Sequence, residues 1–471
     1  MGCSMRAHKH LKKRRRGLLR RLVVSAAAVA ALLVFCVAAW IAWTVPKPWR
    51  TGIANVGAPC TQSFAGSPES ARGAVIRVVS EPGEICGYAY ALRPEAGDAS
   101  QYVLDVDTGS VDDSTTLLVS LASYDGWRRL DRVRRRIEGP ADLKGLRLAV
   151  EHSPRTTRVE VVTSVRGGGA YALQGVTLHP STTPVAPGIA LYREAMDVIA
   201  GNALNAAKLP DDFRTQWQPR EDATSGEARR AIRQVLRALG DRHSVLLDPD
   251  RLAALPQQEH AVFKPATWKL LDSGLGSIQV PGFLGSDRAL RARYTASITD
   301  ALQAGTRAGV HAWVVDLREN RGGNMWPMLD GLEPLLRGQT LGWFQRRDGS
   351  RTAWRNRMTE RAAQVSDLGR LPVAVLSSHH TASSGEAVVL AFRGLARTRS
   401  FCTPTHGLST GNAGFTLQDG TVLQLTTTSF VDRTGQVHGG PIEPDERVDS
   451  LPLMDDAEAE AARWLRRQRL P

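Results

Sequence analysis

Ala312 to Pro327 reads AWVVDLRENRGGNMWP, an apolar strand that runs into a polar, glycine-bearing turn and then a helix opened by Pro327. Leu371 to Phe392, LPVAVLSSHHTASSGEAVVLAF, repeats the arrangement. Working outward, GSIQVPGF (Gly276 to Phe283) reads as a strand, and Arg288 to Ala304, Pro327 to Leu336 and Gly385 to Gly394 read as helices. Apolar strands alternating with helices predict an α/β core.

The character changes on either side of this core. Ile189 to Ala207 and Gly226 to Leu239 carry apolar residues at three- and four-residue spacings, and Gly240 follows the second run as a terminating C′ glycine. Before the linker STTPVAPG (Ser181 to Gly188), short β-rich runs recur between turn residues: AVIRVVS, YAYAL, QYVLDVD, TTLLVSLAS, LRLAVEH and RVEVVTSV. That pattern predicts a β-sandwich, read as an accessory or substrate-presenting domain. Asp105, Asp107, Asp112 and Asp113 lie in it beside Gly and Ser, where turn carboxylates outnumber calcium ligands. After the core, GFTLQDGTVLQLTTTSF holds a hairpin turn at Gln418 to Gly420.

Charge decides the topology. The 471 residues carry 60 Lys and Arg against 47 Asp and Glu, a net +13, yet nine of the basic residues and no acid fall within residues 1–21. The rest holds 51 against 47, too diffuse for the clustered phosphate contacts of a nucleic-acid binder. Leu22 to Trp43 follows without a charge, long enough as a helix to cross a hydrocarbon core of roughly 30 Å. Its continuation through Trp40, Ile41 and Trp43 favours an uncleaved signal anchor over a signal peptide. The positive-inside rule then puts the N-terminus in the cytoplasm and everything after Pro46 across the membrane. Among five cysteines, Cys60 and Cys86 are the exported pair close in sequence, and either a disulfide or two buried thiols fits them. No CxxC pair or other metal or cofactor signature occurs. The expected partition is a basic cytoplasmic segment (1–21), a transmembrane anchor (22–44), a β-sandwich (57–182), a helical segment (186–255), an α/β core (256–455) and a C-terminal helix (456–471).

Three segments hold residues suited to chemistry. Gly322 and Gly323 can aim backbone N–H groups at one point, as an oxyanion site requires, and also suit an ordinary strand-to-helix turn. Ser383 stands three residues before Glu386, so it either caps the helix or uses the free N–H groups there for acyl transfer. No G-x-S-x-G surrounds it. His243, in Leu239 to Val245, follows a helix end and is one of eleven histidines that could serve as a base.

Taken in order, GDRHS (Gly240 to Ser244), VVDLRENRGGN (Val314 to Asn324), TASSGE (Thr381 to Glu386), PTHGLSTGN (Pro404 to Asn412) and GGPIEPDERV (Gly439 to Val448) resemble the C-terminal processing, or tail-specific, serine proteases and their tricorn-like relatives. The likeness covers about residues 186 to 455. It implies a ClpP/crotonase-like core with Ser383 as nucleophile and an oxyanion hole from Ser384 with Gly322 or Gly323. The processing branch's lysine base falls at Leu408, so a Ser/Lys dyad is lost here. The tricorn-like branch implies His243 as base, with Glu443 as the late glutamate of its network. Arg242 stands where that branch carries its second serine, which leaves Ser244 as a substitute and His406 as a rival base. Between Leu247 and Gly276 there is no room for a PDZ domain.

These readings together predict a membrane-anchored, extracytoplasmic serine endopeptidase acting on a protein or peptide, with no cofactor, metal or nucleic-acid partner. Two alternatives stand beside it: a non-catalytic binder of peptides or apolar ligands on the same fold, and a cell-envelope esterase or amidase.

Overall fold

A computed structural model describes residues 50–51, 60–448 and 453–468, less 71–72, 81–84, 95–96, 113–114, 167–168, 250, 253–262, 273, 286, 337–339 and 356–367. The chain divides into two compact units, Met1–Val185 and Ala186–Pro471. The expected anchor at 22–44 and the basic segment before it lie outside the described residues. Among the described residues no helix is long and apolar enough to cross a membrane.

The first unit is built from β1 (Arg50–Thr51), β2 (Cys60–Gly66), β3 (Ala74–Ser80), β4 (Ile85–Leu92), β5 (Gln101–Val106), β6 (Thr108–Val111), β7 (Thr116–Asp125), β8 (Arg128–Ile137), β9 (Leu146–Glu151), β10 (Arg158–Arg166) and β11 (Gly169–Ser181). They pair antiparallel in two sheets, β1-β4-β10-β7-β8 and β2-β3-β11-β5-β9, with β6 on β11. Alternation explains the sandwich: in β3 the side chains of Ala74, Ile76 and Val78 are buried while Arg77 and Val79 face out. Tyr88, Leu104, Leu121, Val161 and Leu173 fill the core between the sheets. Cys86 is buried and disulfide-bonded; the side chain of its expected partner, Cys60, lies outside the described ones. Among the described residues no three of these aspartates gather around one point. Asp105 pairs with His179 at 2.9 Å and Asp112 accepts from the Ala170 N–H at 2.8 Å, while Asp113 lies outside the described residues.

The second unit opens with α1 (Gly188–Asn202), α2 (Phe213–Gln216) and α3 (Ser225–Ala238). Thr224 and Glu227 form the capping box that starts α3, and Gly240, at φ 68°, ends it. The chain continues through β12 (Val245–Leu247), β13 (Thr267–Asp272), β14 (Leu275–Gln279), α4 (Arg288–Arg307), β15 (Ala312–Asp316), α5 (Met325–Gly331), α6 (Glu333–Leu336), β16 (Thr340–Arg346), β17 (Arg351–Arg355), β18 (Val373–Ser377), α7 (Ser384–Phe392), β19 (Thr398–Cys402), β20 (Thr410–Thr416), β21 (Val422–Val431), β22 (Glu446–Arg447) and α8 (Leu453–Arg466).

One sheet runs β13-β14-β15-β18-β19-β22, parallel from β14 onward. Because successive side chains alternate, Trp313, Val315, Val373 and Val375 face the core shared with α4, α5 and α7. Ala312, Val314, Ala374 and Leu376 face α8 through Ala461, Trp464 and Leu465. The C-terminal helix therefore starts at Leu453, earlier than expected, and is a layer of the core rather than an appendage. A second, antiparallel sheet, β12-β21-β16-β17 with β20 on β21, packs against α1 and α3 through Leu417, Leu423 and Leu425. The segment GWFQRRDGSRTAWR (Gly342 to Arg355) lies in the β16–β17 hairpin, and Trp354 sits in its core between Phe344 and Phe430.

Candidate active site

β15 and β18 are neighbours in the parallel sheet, so the turns leaving their carboxyl ends emerge side by side, where open α/β sheets place their ligands. Hydrogen bonds stitch the turns together. Thr381 Oγ1 donates to the Leu317 carbonyl at 2.8 Å, Ser378 Oγ to that of Arg318 at 2.6 Å, and the Ala382 N–H to that of Asn320 at 3.0 Å.

The first turn is shaped by Asn320, which is fully buried. Its Nδ2 donates to the Val280 carbonyl at 3.1 Å, and its Oδ1 accepts the Gly322 N–H at 3.0 Å in an Asx turn. Gly322 and Gly323 then adopt φ of 91° and 118°, a region open to glycine. A Cβ on Gly322 would lie 3.0 Å from Ser383 Cβ, and one on Gly323 would lie 2.1 Å from the Phe283 carbonyl oxygen. The expectation that either glycine serves the oxyanion hole is narrowed here. The Gly322 N–H is spent on Asn320, whereas among the described residues no acceptor takes the N–H of Gly323 or of Ser384.

The second turn places Ser383 at φ 51°, ψ −113°. A serine in this region is strained by about 1–3 kcal/mol, and such strain concentrates at functional sites. The backbone is thus a sharp, strained strand-to-helix elbow even though the G-x-S-x-G signature is missing. Ser383 is partly exposed at the start of α7, while Ser384 is buried and donates its hydroxyl to the Gly323 carbonyl at 2.5 Å.

Glu386, fully buried, ties this elbow to the loop after β19. Its carboxylate accepts the N–H of Ser383 at 2.7 Å and of Leu408 at 2.8 Å on one oxygen, and Thr405 Oγ1 at 2.5 Å and the Gly407 N–H at 3.0 Å on the other. Burial pushes its carboxyl above the usual range, against the pull of those four donors. Leu408 stands here by its backbone, with no cation in the lysine's place.

His243 sits between α3 and β12. Asp241 holds this loop by accepting the N–H of His243 at 3.1 Å and of Ser244 at 2.7 Å. Asn412 Nδ2 donates to the His243 carbonyl at 2.8 Å, and the ring Nδ1 lies 2.7 Å from Thr410 Oγ1. In the tautomer with the proton on Nδ1, Thr410 is its acceptor and Nε2 keeps a free lone pair. Burial lowers the imidazole pKa below its ordinary value, with Asp241 opposing, so at neutral pH the ring is uncharged. Thr410 is two residues beyond Leu408, whose N–H shares a Glu386 oxygen with the Ser383 N–H. A short run of bonds therefore links His243 to the elbow.

The remaining expected residues stand apart from this run. The Glu443 side chain is exposed, with its backbone carbonyl accepting from Arg393, and the residue that meets the His243 ring is Thr410 instead. Ser244 Oγ donates to Asp241 at 3.0 Å and accepts the Thr426 N–H at 3.0 Å, which makes it a loop fastener. His406 is exposed beside the elbow, its Nδ1 3.2 Å from the His379 carbonyl. Sequence reasoning gave no role to Asn320 or Thr410. The Asn-x-Gly spacing was a usable sign of the first; nothing local marks the second, which meets His243 across 167 positions.

Residues 274–448 match the family model for peptidase family S41. A nisin-resistance protein of Lactococcus lactis subsp. lactis is 30% identical over 200 residues, 41% of this chain and 60% of that protein. The matched part thus spans less than two thirds of that relative. A lipoprotein from Streptococcus agalactiae shares the fold at TM-score 0.52 and 24% identity, over 60% of this chain and 98% of that one. A photosystem II D1 C-terminal processing protease is more loosely similar, at TM-score 0.44 and 16% identity over 56% of this chain and 94% of that one. Both turns, Ser383 and the Glu386 loop fall inside the matched residues, and the chain carries a peptidase family S41 domain.

Proposed function

We propose that the chain is a membrane-anchored, extracytoplasmic serine peptidase in which Ser383 is the nucleophile and His243 the base. The observation that carries this reading is the strained backbone of Ser383 at φ 51°, beside two N–H groups without an acceptor among the described residues. In the reaction, Nε2 of His243 takes the hydroxyl proton as Ser383 Oγ bonds to the scissile carbonyl carbon. The oxyanion forms against the N–H groups of Gly323 and Ser384. Collapse breaks the C–N bond, the amine leaves with the proton from His243, and water hydrolyses the acyl-enzyme by the same route. Thr410 orients the imidazole, the role first assigned to Glu443.

The relative's name suggests the first peptide to try, nisin. Export is supported by the basic segment, the uncharged run 22–44 and the disulfide at Cys86, which belongs to an oxidising compartment. The test is labelling of the full chain by a fluorophosphonate, together with cleavage of nisin and of a peptide library. Labelling lost in both Ser383→Ala and His243→Ala supports the assignment. Labelling that survives Ser383→Ala, or a folded wild type that neither labels nor cleaves, overturns it in favour of the binding reading. Hydrolysis of esters but no peptide would move it to the esterase reading.

A further inference from the structure

The first unit carries a charged surface that whole-chain arithmetic hides. β8 is an edge strand of its sheet, and Arg132, Arg134 and Arg136 occupy alternate, exposed positions along it. Arg128, Arg129 and Arg135 bring the strand to six arginines against one acid within it, Asp131, which is buried and accepts the Glu151 N–H; Arg136 is paired with Glu138, just past the strand, at 3.1 Å. At the tip of the β7–β8 hairpin, Trp127 is 85% exposed, the most exposed large apolar side chain among the described residues. An amphipathic indole held in solvent beside a row of guanidinium groups is the composition of a membrane-interface anchor.

The register says which way this hairpin points. Tyr124 pairs with Arg158, and Val159 with Leu92, so the hairpin tip, the start of β10 and the end of β4 share one end of the sheet. On the opposite edge Arg50 pairs with Ala89 and Thr51 with Tyr88, so the chain enters β1 from that same end. Only six residues separate Trp43 from Arg50, a span of at most about 25 Å. If the uncharged run ending at Trp43 lies in a bilayer, the end of the sheet bearing Trp127 is the end held nearest it.

We propose that the β7–β8 hairpin docks on the anionic lipid surface in which the chain is anchored, Trp127 entering the headgroup layer, Arg132 and Arg134 facing lipid phosphates and Arg136 exchanging Glu138 for one. The inference rests on the anchor proposed above for its access to a bilayer. It assigns the sandwich the task of fixing the first unit against the membrane.

The test is hydrogen exchange of the full chain in nanodiscs of phosphatidylcholine alone or with about a third replaced by phosphatidylglycerol. Chain that fails to co-elute with either disc refutes the anchor. Chain that co-elutes separates the two readings, because only docking protects the hairpin. We expect amides of residues 124–136 to exchange roughly tenfold more slowly in the anionic discs, with protection lost at high salt. Arg132→Gln/Arg134→Gln/Arg136→Gln should abolish it and Trp127→Ser weaken it, while exchange in β3 and β11 stays as in wild type. Equal exchange of the wild-type hairpin in both discs overturns the proposal without any variant. Protection by soluble polyphosphate but not by anionic lipid also overturns it, and gives the surface to an anionic polymer.

Discussion

The two strand-to-helix turns at the sheet's carboxyl edge solve opposite problems, both with positive φ. After β15, Gly322 and Gly323 take positive φ at little cost because they carry no Cβ, and under the proposed mechanism what the turn offers is the N–H of Gly323, which a side chain would only obstruct. After β18, Ser383 takes positive φ with a side chain attached, and under the proposed mechanism that side chain is what the turn offers. Glycine marks a place where function lies in the main chain; a strained serine marks one where it lies beyond Cβ.

The sharpest way to break this comparison is at Ser383 itself. Ser383→Ala and Ser383→Gly should each lower kcat/KM by a factor on the order of 10⁴ or more, measured on whichever peptide the wild type cleaves. Next, Gly323→Ala should cost roughly 10²–10³ in kcat by pushing the turn off Phe283, and should lower the denaturation midpoint with it. If Gly323→Ala leaves kcat intact in folded protein, the N–H donor lies elsewhere. A smaller effect, about tenfold in kcat with KM nearly unchanged, is expected for Thr410→Val, which keeps the shape but removes the His243 partner; Thr410→Ser should restore most of it.

The pH profile sharpens the same assignment. A histidine base works in its neutral form, and burial lowers the pKa of His243, so under the proposed mechanism the acid limb of kcat/KM should fall below pH 6.5. Between the folded pKa and the unfolded value the unfolded chain binds more protons, so this group's contribution to stability rises with pH across that window. An acid limb above 6.5 would point to another base, with His406 the first to substitute. The smallest effect separates strain from chemistry: Ser383→Gly should be more stable than Ser383→Ala by about 1 kcal/mol in denaturant titration, since only glycine adopts φ 51° freely.

Much of the core was readable because periodicity and burial agreed there. The segments AWVVD and VAVLS are uniformly buried strands, and α3 and α4 follow their predicted runs within a few residues. Pro327 to Leu336 fails as a single helix because the chain breaks at Leu332 into α5 and α6. β8 escaped notice for a physical reason: its alternate positions are arginines on a solvated edge, so it reads as a charge run rather than as a strand. The site divided the same way. Ser383, Glu386 and the glycine pair lie on local motifs, but Glu386's grip on Thr405, Gly407 and Leu408 and Thr410's contact with His243 are tertiary. Glu443 was placed by likeness, and its side chain faces solvent.

The Glu386 carboxylate has a consequence for anyone who would transplant this serine. With both oxygens shared between the elbow and the loop at 405–408, the five residues around Ser383 are not a portable cassette. A graft onto another scaffold that carries the elbow alone would leave a buried carboxylate short of three of its four donors, and the recipient would have to import the second loop, 19 to 22 positions downstream, as part of the same unit.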